Sequence, residues 1–204
     1  DMLKVYLLAN MEEGRPRTHA NELWRKRLRL LDERADDSGS DFLKTWLRSQ
    51  YSTKIRERRR GARPEDWDRI GTEFHRWLRN AQNEIGLKTR EDYYDFVQRD
   101  FEFYGEQYGR ILDAELGALD PHSRLRFIRY NADVGFTLQN QLLLAPLVPG
   151  DSQDTIDKKL ELVGRFTDIL VARRIWNFKA IAYSTMSYAM FVVMKDIRGL
   201  SIPE

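Results

Sequence analysis

The chain has 204 residues, of which 42% are hydrophobic and 12% aromatic, a net charge of +2 and no cysteine. That is enough apolar material for one substantial domain or two small ones. The lack of cysteine excludes a disulfide framework and any thiolate zinc site, and no basic, apolar and small-residue order marks a signal peptide, so a cytoplasmic location is expected.

Helical periodicity runs through the whole chain and no long stretch alternates strictly, which predicts an all-α fold. Residues 2–11 read as a first helix, broken by Gly14 and Pro16. A second is expected over residues 18–35, with Leu23, Trp24, Leu28, Leu30 and Leu31 as its apolar stripe. Ser40 is placed to cap a third, which carries Phe42, Leu43, Trp46, Leu47 and Tyr51. Pro64, Glu65 and Asp66 open the next, and Gly86 is set to close it. Thr89 and Asp92 form a variant capping box ahead of a long aromatic helix whose stripe is Tyr93, Val97, Phe101, Tyr104, Tyr108 and Ile111. Pro121 interrupts it, a short helix is expected over residues 122–131, and Pro146, Pro149 and Gly150 end "FTLQNQLLLAPLVPG". Ser152 caps a further helix predicted to face inward with Ile156, Leu160, Val163, Phe166 and Leu170.

The last stretch, "WNFKAIAYSTMSYAMFVVMKDIRG" (residues 176–199), has only 15 uncharged positions between Lys179 and Lys195. A membrane-spanning helix needs about 20 predominantly apolar residues. The expectation is therefore a core helix, covered on most sides by neighbours. The whole reads as a single helical domain over residues 1–204, a multi-helix bundle of mostly antiparallel helices joined by short loops. A basic helical segment (1–63) precedes a helical core (64–204): residues 1–63 hold 16 Lys/Arg against 10 Asp/Glu, the remainder 18 against 22.

Motifs for catalysis are missing. The sequence holds no phosphate-binding glycine loop, no dinucleotide fingerprint, no H-E-x-x-H and no nucleophile elbow. His19, His75 and His122 are scattered, and Glu73 and His75 stand two positions apart, so they point to different sides of a helix. Neither a metal site nor a cofactor is expected. The run "KIRERRRGAR" (residues 54–63) has two open readings. Either Arg56, Arg59, Arg60 and Arg63 share one helical face and contact nucleic-acid phosphates, or the run is a solvated helix end. Arg173 and Arg174, just before the apolar stretch, either pair internally with a carboxylate such as Asp168 or Asp133 or face an anionic ligand.

Several stretches taken together carry a resemblance: "DMLKVYLLAN", "ELWRKRL", "DFLKTWLRSQY", "IGTEFHRWLRN", "FTLQNQLLLAPL" and "ARRIWNFKAIAYSTMSYAMFVVMKDIRG". In order and spacing they resemble the helical region that follows the ParB-like domain of unknown function in GmrSD-type proteins. These are bacterial, modification-dependent (type IV) restriction proteins of phage defence. The resemblance implies a parent NTP-dependent endonuclease in which a ParB-like module handles the nucleotide and an HNH-type module cuts modified DNA. It also implies that this chain alone is not an enzyme. The family's D-G-Q-Q-R-type motif, N-x-R-G-x-x-L element and HNH histidine cluster are absent, and only Asp1 and Lys4 match the tail of the second of these. A start at Asp1, with a helix-like stretch from the next residue, fits a piece of a longer protein. The implied role is an inter-domain scaffold whose partners are the flanking catalytic domains and DNA. The alternative is a structural or oligomerisation module, a homo-oligomer with no nucleic-acid role. Neither involves a membrane.

Overall fold

The computed structural model describes residues 2–57, 59–118, 120 and 122–202, and all their regular structure is helical. The chain divides into two compact units, Asp1–Glu106 and Gln107–Glu204, each with its own core.

The first unit contains α1 (Met2–Ala9), α2 (Arg15–Asp32), α3 (Ser38–Tyr51), α4 (Asp66–Arg69), α5 (Phe74–Ala81), α6 (Arg90–Asp95), a π-helical segment (Phe96–Phe101) and the start of α7 (Glu102–Glu115). Its centre is aromatic. Trp46 is fully buried, with the rings of Phe96 and Phe101 at 5.0 and 5.9 Å, and Trp24 stacks on Phe101 at 4.3 Å with the planes 4° apart. Such ring pairs add roughly 0.5–1.5 kcal/mol each beyond the area they bury. The predicted stripe from Tyr93 to Ile111 is buried throughout.

Several boundaries differ from the sequence expectation, each for a local reason. Pro16 lies in the first turn of α2 rather than before it, because its missing N–H costs nothing where no acceptor stands behind it. Asp37, in the left-handed region at φ 60°, precedes α3 in place of Ser40. The expected helix from Pro64 to Gly86 is two pieces, since Gly71 at φ 118° breaks the helical path between α4 and α5. The second piece ends at Ala81, short of Gly86: the chain turns on through residues 82–86, and Gly86, at φ 85°, lets Leu87 N–H reach back to Gln82 O at 2.8 Å. The capping box at α6 is present, Asp92 N–H donating to Thr89 Oγ1 and Thr89 N–H to an Asp92 carboxylate oxygen. After α7, Gly117 at φ 72° ends the helix where Pro121 was expected to; Pro121 lies outside the described residues.

The second unit comprises the rest of α7 with α8 (Arg126–Asp133), α9 (Gln139–Leu144), α10 (Gln153–Trp176) and α11 (Tyr183–Ile197). Ser152 caps α10 as expected, accepting from Thr155 N–H. α10 packs on α8 and α9, and α11 packs on α9. The face of α10 that turns inward is Ile156, Leu160, Gly164, Thr167 and Val171, whereas the predicted Phe166 is 45% exposed. Small residues decide this: Asn131 of α8 donates to Gly164 O, and a Cβ at Gly164 would already touch Phe127.

Residues 176–199 do not form the central core helix expected from their composition. α10 ends at Trp176, a turn follows, and α11 buries only Met186, Met190, Phe191 and Met194. Those residues, at four-residue steps with one neighbour, cover a single stripe, and Tyr183, Tyr188 and Val192 stay exposed. Among the described residues no helix is long and apolar enough to cross a membrane.

Candidate nucleic-acid interface

The basic run is a loop, so Arg56, Arg59, Arg60 and Arg63 do not share a helical face. α3 stops at Tyr51, where Ser52 turns to an extended conformation and its hydroxyl donates to Arg48 O at 2.6 Å. The residues just after α3 and those at the start of α4 are tied together at a neck. Thr53 donates through both N–H and Oγ1 to Asp66 Oδ2, at 3.2 and 2.6 Å. Trp67 N–H donates to Lys54 O, and the N–H groups of Arg56 and Glu65 both reach Asp68 Oδ2. Behind the neck, buried Arg48 donates from Nε to Trp67 O at 2.8 Å and lies over the Trp67 ring at 4.6 Å. A polar neck of this kind holds the loop at a fixed place on the unit without an apolar core of its own.

Beyond the neck, Arg56, Arg59, Arg60 and Arg63 are all exposed. Gly61, at φ 79°, makes the tip turn, with Ala62 N–H donating to Arg59 O. Glu57, Arg59, Arg60, Arg63 and Glu65 line a shallow depression of about 370 Å³. Arg59 is held by Glu57 at 2.6 Å, while no described ion pair engages Arg56, Arg60 or Arg63. The arrangement therefore offers three uncommitted guanidinium groups on one pinned loop. Each is a planar, permanently charged donor suited to a phosphate oxygen.

The other expected positions are placed elsewhere. Asp1 lies outside the described residues. Lys4, half-buried on α1, lines an open depression with Trp24, Arg25, Leu28, Arg29, Asp32 and Glu33, and burial, then the Arg25 charge, hold its ammonium below the usual lysine range. Arg173 and Arg174 are not a buried ion pair. Arg173 is exposed, and Arg174 donates from Nε and Nη2 to Ala180 O at 3.0 and 2.6 Å, tying down the α10–α11 turn, while Asp133 is held by Arg129. His19 meets the Tyr94 hydroxyl at 2.9 Å. Among the described residues no group of three His, Asp or Glu side chains is placed to hold a metal ion.

A feature the sequence reading missed lies on the outer side of α10. Leu162, Phe166, Ile169, Arg173 and Trp176 recur at steps of four, three, four and three, all exposed and opposite the buried face. The signal was present as a second apolar stripe on one helix. Just past it, Phe178 is 99% exposed and left-handed at φ 53°. Lys179 N–H donates to Arg174 O and Phe178 N–H to Ile175 O, the hydrogen bonds of a helix end that glycine ordinarily supplies.

Compared with family models, curated proteins and solved structures, the chain has no match.

Proposed function

We propose that this chain is a non-catalytic helical scaffold of a GmrSD-like, modification-dependent restriction protein, and that it contributes contacts to the DNA backbone through Arg56, Arg59, Arg60 and Arg63. The observation that carries the nucleic-acid part is the pinned loop with uncommitted, exposed arginines beyond its neck. The restriction context rests on the sequence resemblance alone. In that context the partners are the flanking catalytic domains, and the scaffold's part is to hold them in register on the duplex.

Phosphate contacts release counterions, so affinity must fall with salt, with a log–log slope of roughly −3 for three to four contacts. Fluorescence anisotropy with a labelled duplex over a salt series measures this. The triple variant Arg56→Ala, Arg60→Ala, Arg63→Ala is expected to flatten the slope while leaving the helical circular dichroism unchanged. Affinity that does not vary with salt, or no binding at micromolar protein, would remove the DNA role.

A further inference from the structure

Resting on the DNA role proposed for the same loop, we infer that Arg60 enters the minor groove of a duplex and favours A·T-rich stretches, where that groove is narrow. Arg56 and Arg63 then hold backbone phosphates on either side of it.

The tip of the loop presents a single side chain. Ala62 N–H donates to Arg59 O at 3.2 Å, closing a four-residue turn in which Arg60 has an ordinary negative φ and Gly61 a φ of 79°. Negative and then positive φ at the two corners make a type II turn. Glycine has no side chain, so the Arg60 guanidinium stands alone at the apex. Arg56 lies on the limb before the tip, its backbone N–H donating to Asp68 Oδ2 at 3.3 Å, and Arg63 lies on the limb after it. The three arginines that no described ion pair engages are thus one at the apex and one on each limb.

Charge favours the apex over the depression beside it. Glu57 holds Arg59 at 2.6 Å, and Glu57 and Glu65 both line the depression, so a phosphate lodged there would meet two carboxylates. At the apex no described hydrogen bond or ion pair holds the exposed Arg60 side chain. A guanidinium that nothing orients is poorly aimed for the donor and acceptor code of the major groove, but it needs no aim to follow electrostatic potential. The minor groove is about 6 Å wide, and its negative potential deepens where A·T tracts narrow it. Arginine is more weakly hydrated than lysine, which suits it to such a confined place. Single-stranded nucleic acid fits the loop less well. Proteins that bind it stack bases on aromatic side chains, whereas no aromatic residue occurs between Tyr51 and Trp67, and Trp67 is buried.

Anisotropy titrations of the full 204-residue chain against three labelled duplexes test the assignment: one A·T-rich, one G·C-rich, and the G·C-rich sequence with inosine in place of guanine. Inosine lacks the guanine 2-amino group, so its pairs show the minor-groove face of A·T and keep the major-groove face of G·C. The A·T and inosine duplexes are expected to bind about five- to tenfold more tightly than the G·C duplex. Netropsin, which fills the minor groove, should compete on the A·T duplex. Arg60→Lys should lose most of the preference and keep the salt slope, because the charge remains, whereas Arg63→Ala should weaken binding to all three duplexes alike. Both variants should keep the native circular dichroism. Salt-dependent binding with equal affinity for the three duplexes overturns the groove assignment and leaves the backbone contact standing. An inosine duplex that behaves like its G·C parent does the same, since major-groove groups would then be what is read. A preference that survives both Arg60→Lys and Arg60→Ala overturns the role of Arg60. No binding to any duplex overturns the groove assignment together with the DNA role beneath it.

Discussion

The stem of Arg27 lies across Gly105: a Cβ added at Gly105 would stand 2.7 Å from Arg27 Cγ and 2.8 Å from its Cδ. That crossing aims the guanidinium at Glu102, which it reaches at 2.8 Å with both side chains mostly buried. A helical glycine here is an intrinsic cost of about 0.5–1 kcal/mol relative to alanine. The close approach of the arginine stem explains why it is present.

The relationship predicts a change of sign. In the native background Gly105→Ala displaces the Arg27 stem and lengthens the contact to Glu102, for a net loss of about 1 kcal/mol, as for a partly buried charged hydrogen bond. In an Arg27→Ala background the collision is gone, and the same substitution should gain about 0.5–1 kcal/mol from helix propensity. A double-mutant cycle by urea denaturation measures both. Equal effects in the two backgrounds would show that the stem does not matter.

Phe178→Gly should stabilise the second unit. A phenylalanine held left-handed and almost fully exposed loses torsional energy and buries nothing in return. Glycine adopts that conformation freely, and the expected gain is about 1 kcal/mol. Denaturant melts of the two proteins give the answer, and a loss of stability would mean that the side chain makes a contact in solution.

Glu115 should make stability fall with rising pH. Burial raises its carboxyl above the ordinary value of 4.5, with hydrogen bonds from Gln139 and Asn140 opposing the shift. The folded state therefore holds its proton more tightly than the unfolded chain does. Its contribution is fully present below pH 4.5 and is lost as pH rises through the higher folded value. Glu115→Gln removes this dependence and keeps an oxygen for the Gln139 Nε2 donor, which now lies at 2.9 Å. Stability curves from pH 4 to pH 8 should be flatter for the variant, with the gain on the neutral side.

Gly164 separates tolerance from collision in the second unit. An alanine Cβ there would meet Phe127 Cβ at 3.4 Å and Ile128 Cγ1 at 3.7 Å, ordinary contacts, so Gly164→Ala should be neutral or stabilising by about 0.5–1 kcal/mol. Gly164→Leu has to push α8 away and should cost about 1–3 kcal/mol. Thermal melts of both variants distinguish a close helix crossing from a loose one.

Period and capping, being local, could be read directly from the residues. The helical class, the buried stripe from Tyr93 to Ile111, and the caps at Thr89 and Ser152 follow from side chains within one or two turns of each other. So does the turn at Gly86, which takes the left-handed conformation that glycine adopts without strain. Partner choice, being non-local, could not be read in this way. Which stripe of α10 turns inward depends on Phe127 and Asn131 approaching Gly164, more than thirty residues away in sequence. The form of the basic run depends on Asp66 and Asp68 capturing N–H groups across the neck, which outweighs any helical tendency of its arginines. Apolar composition alone likewise set residues 176–199 at a core centre, whereas packing gives them one buried stripe and an exposed remainder. Local geometry carries its own energy, but burial is a property of pairs of surfaces, and a surface has a partner only once the chain has folded back on itself.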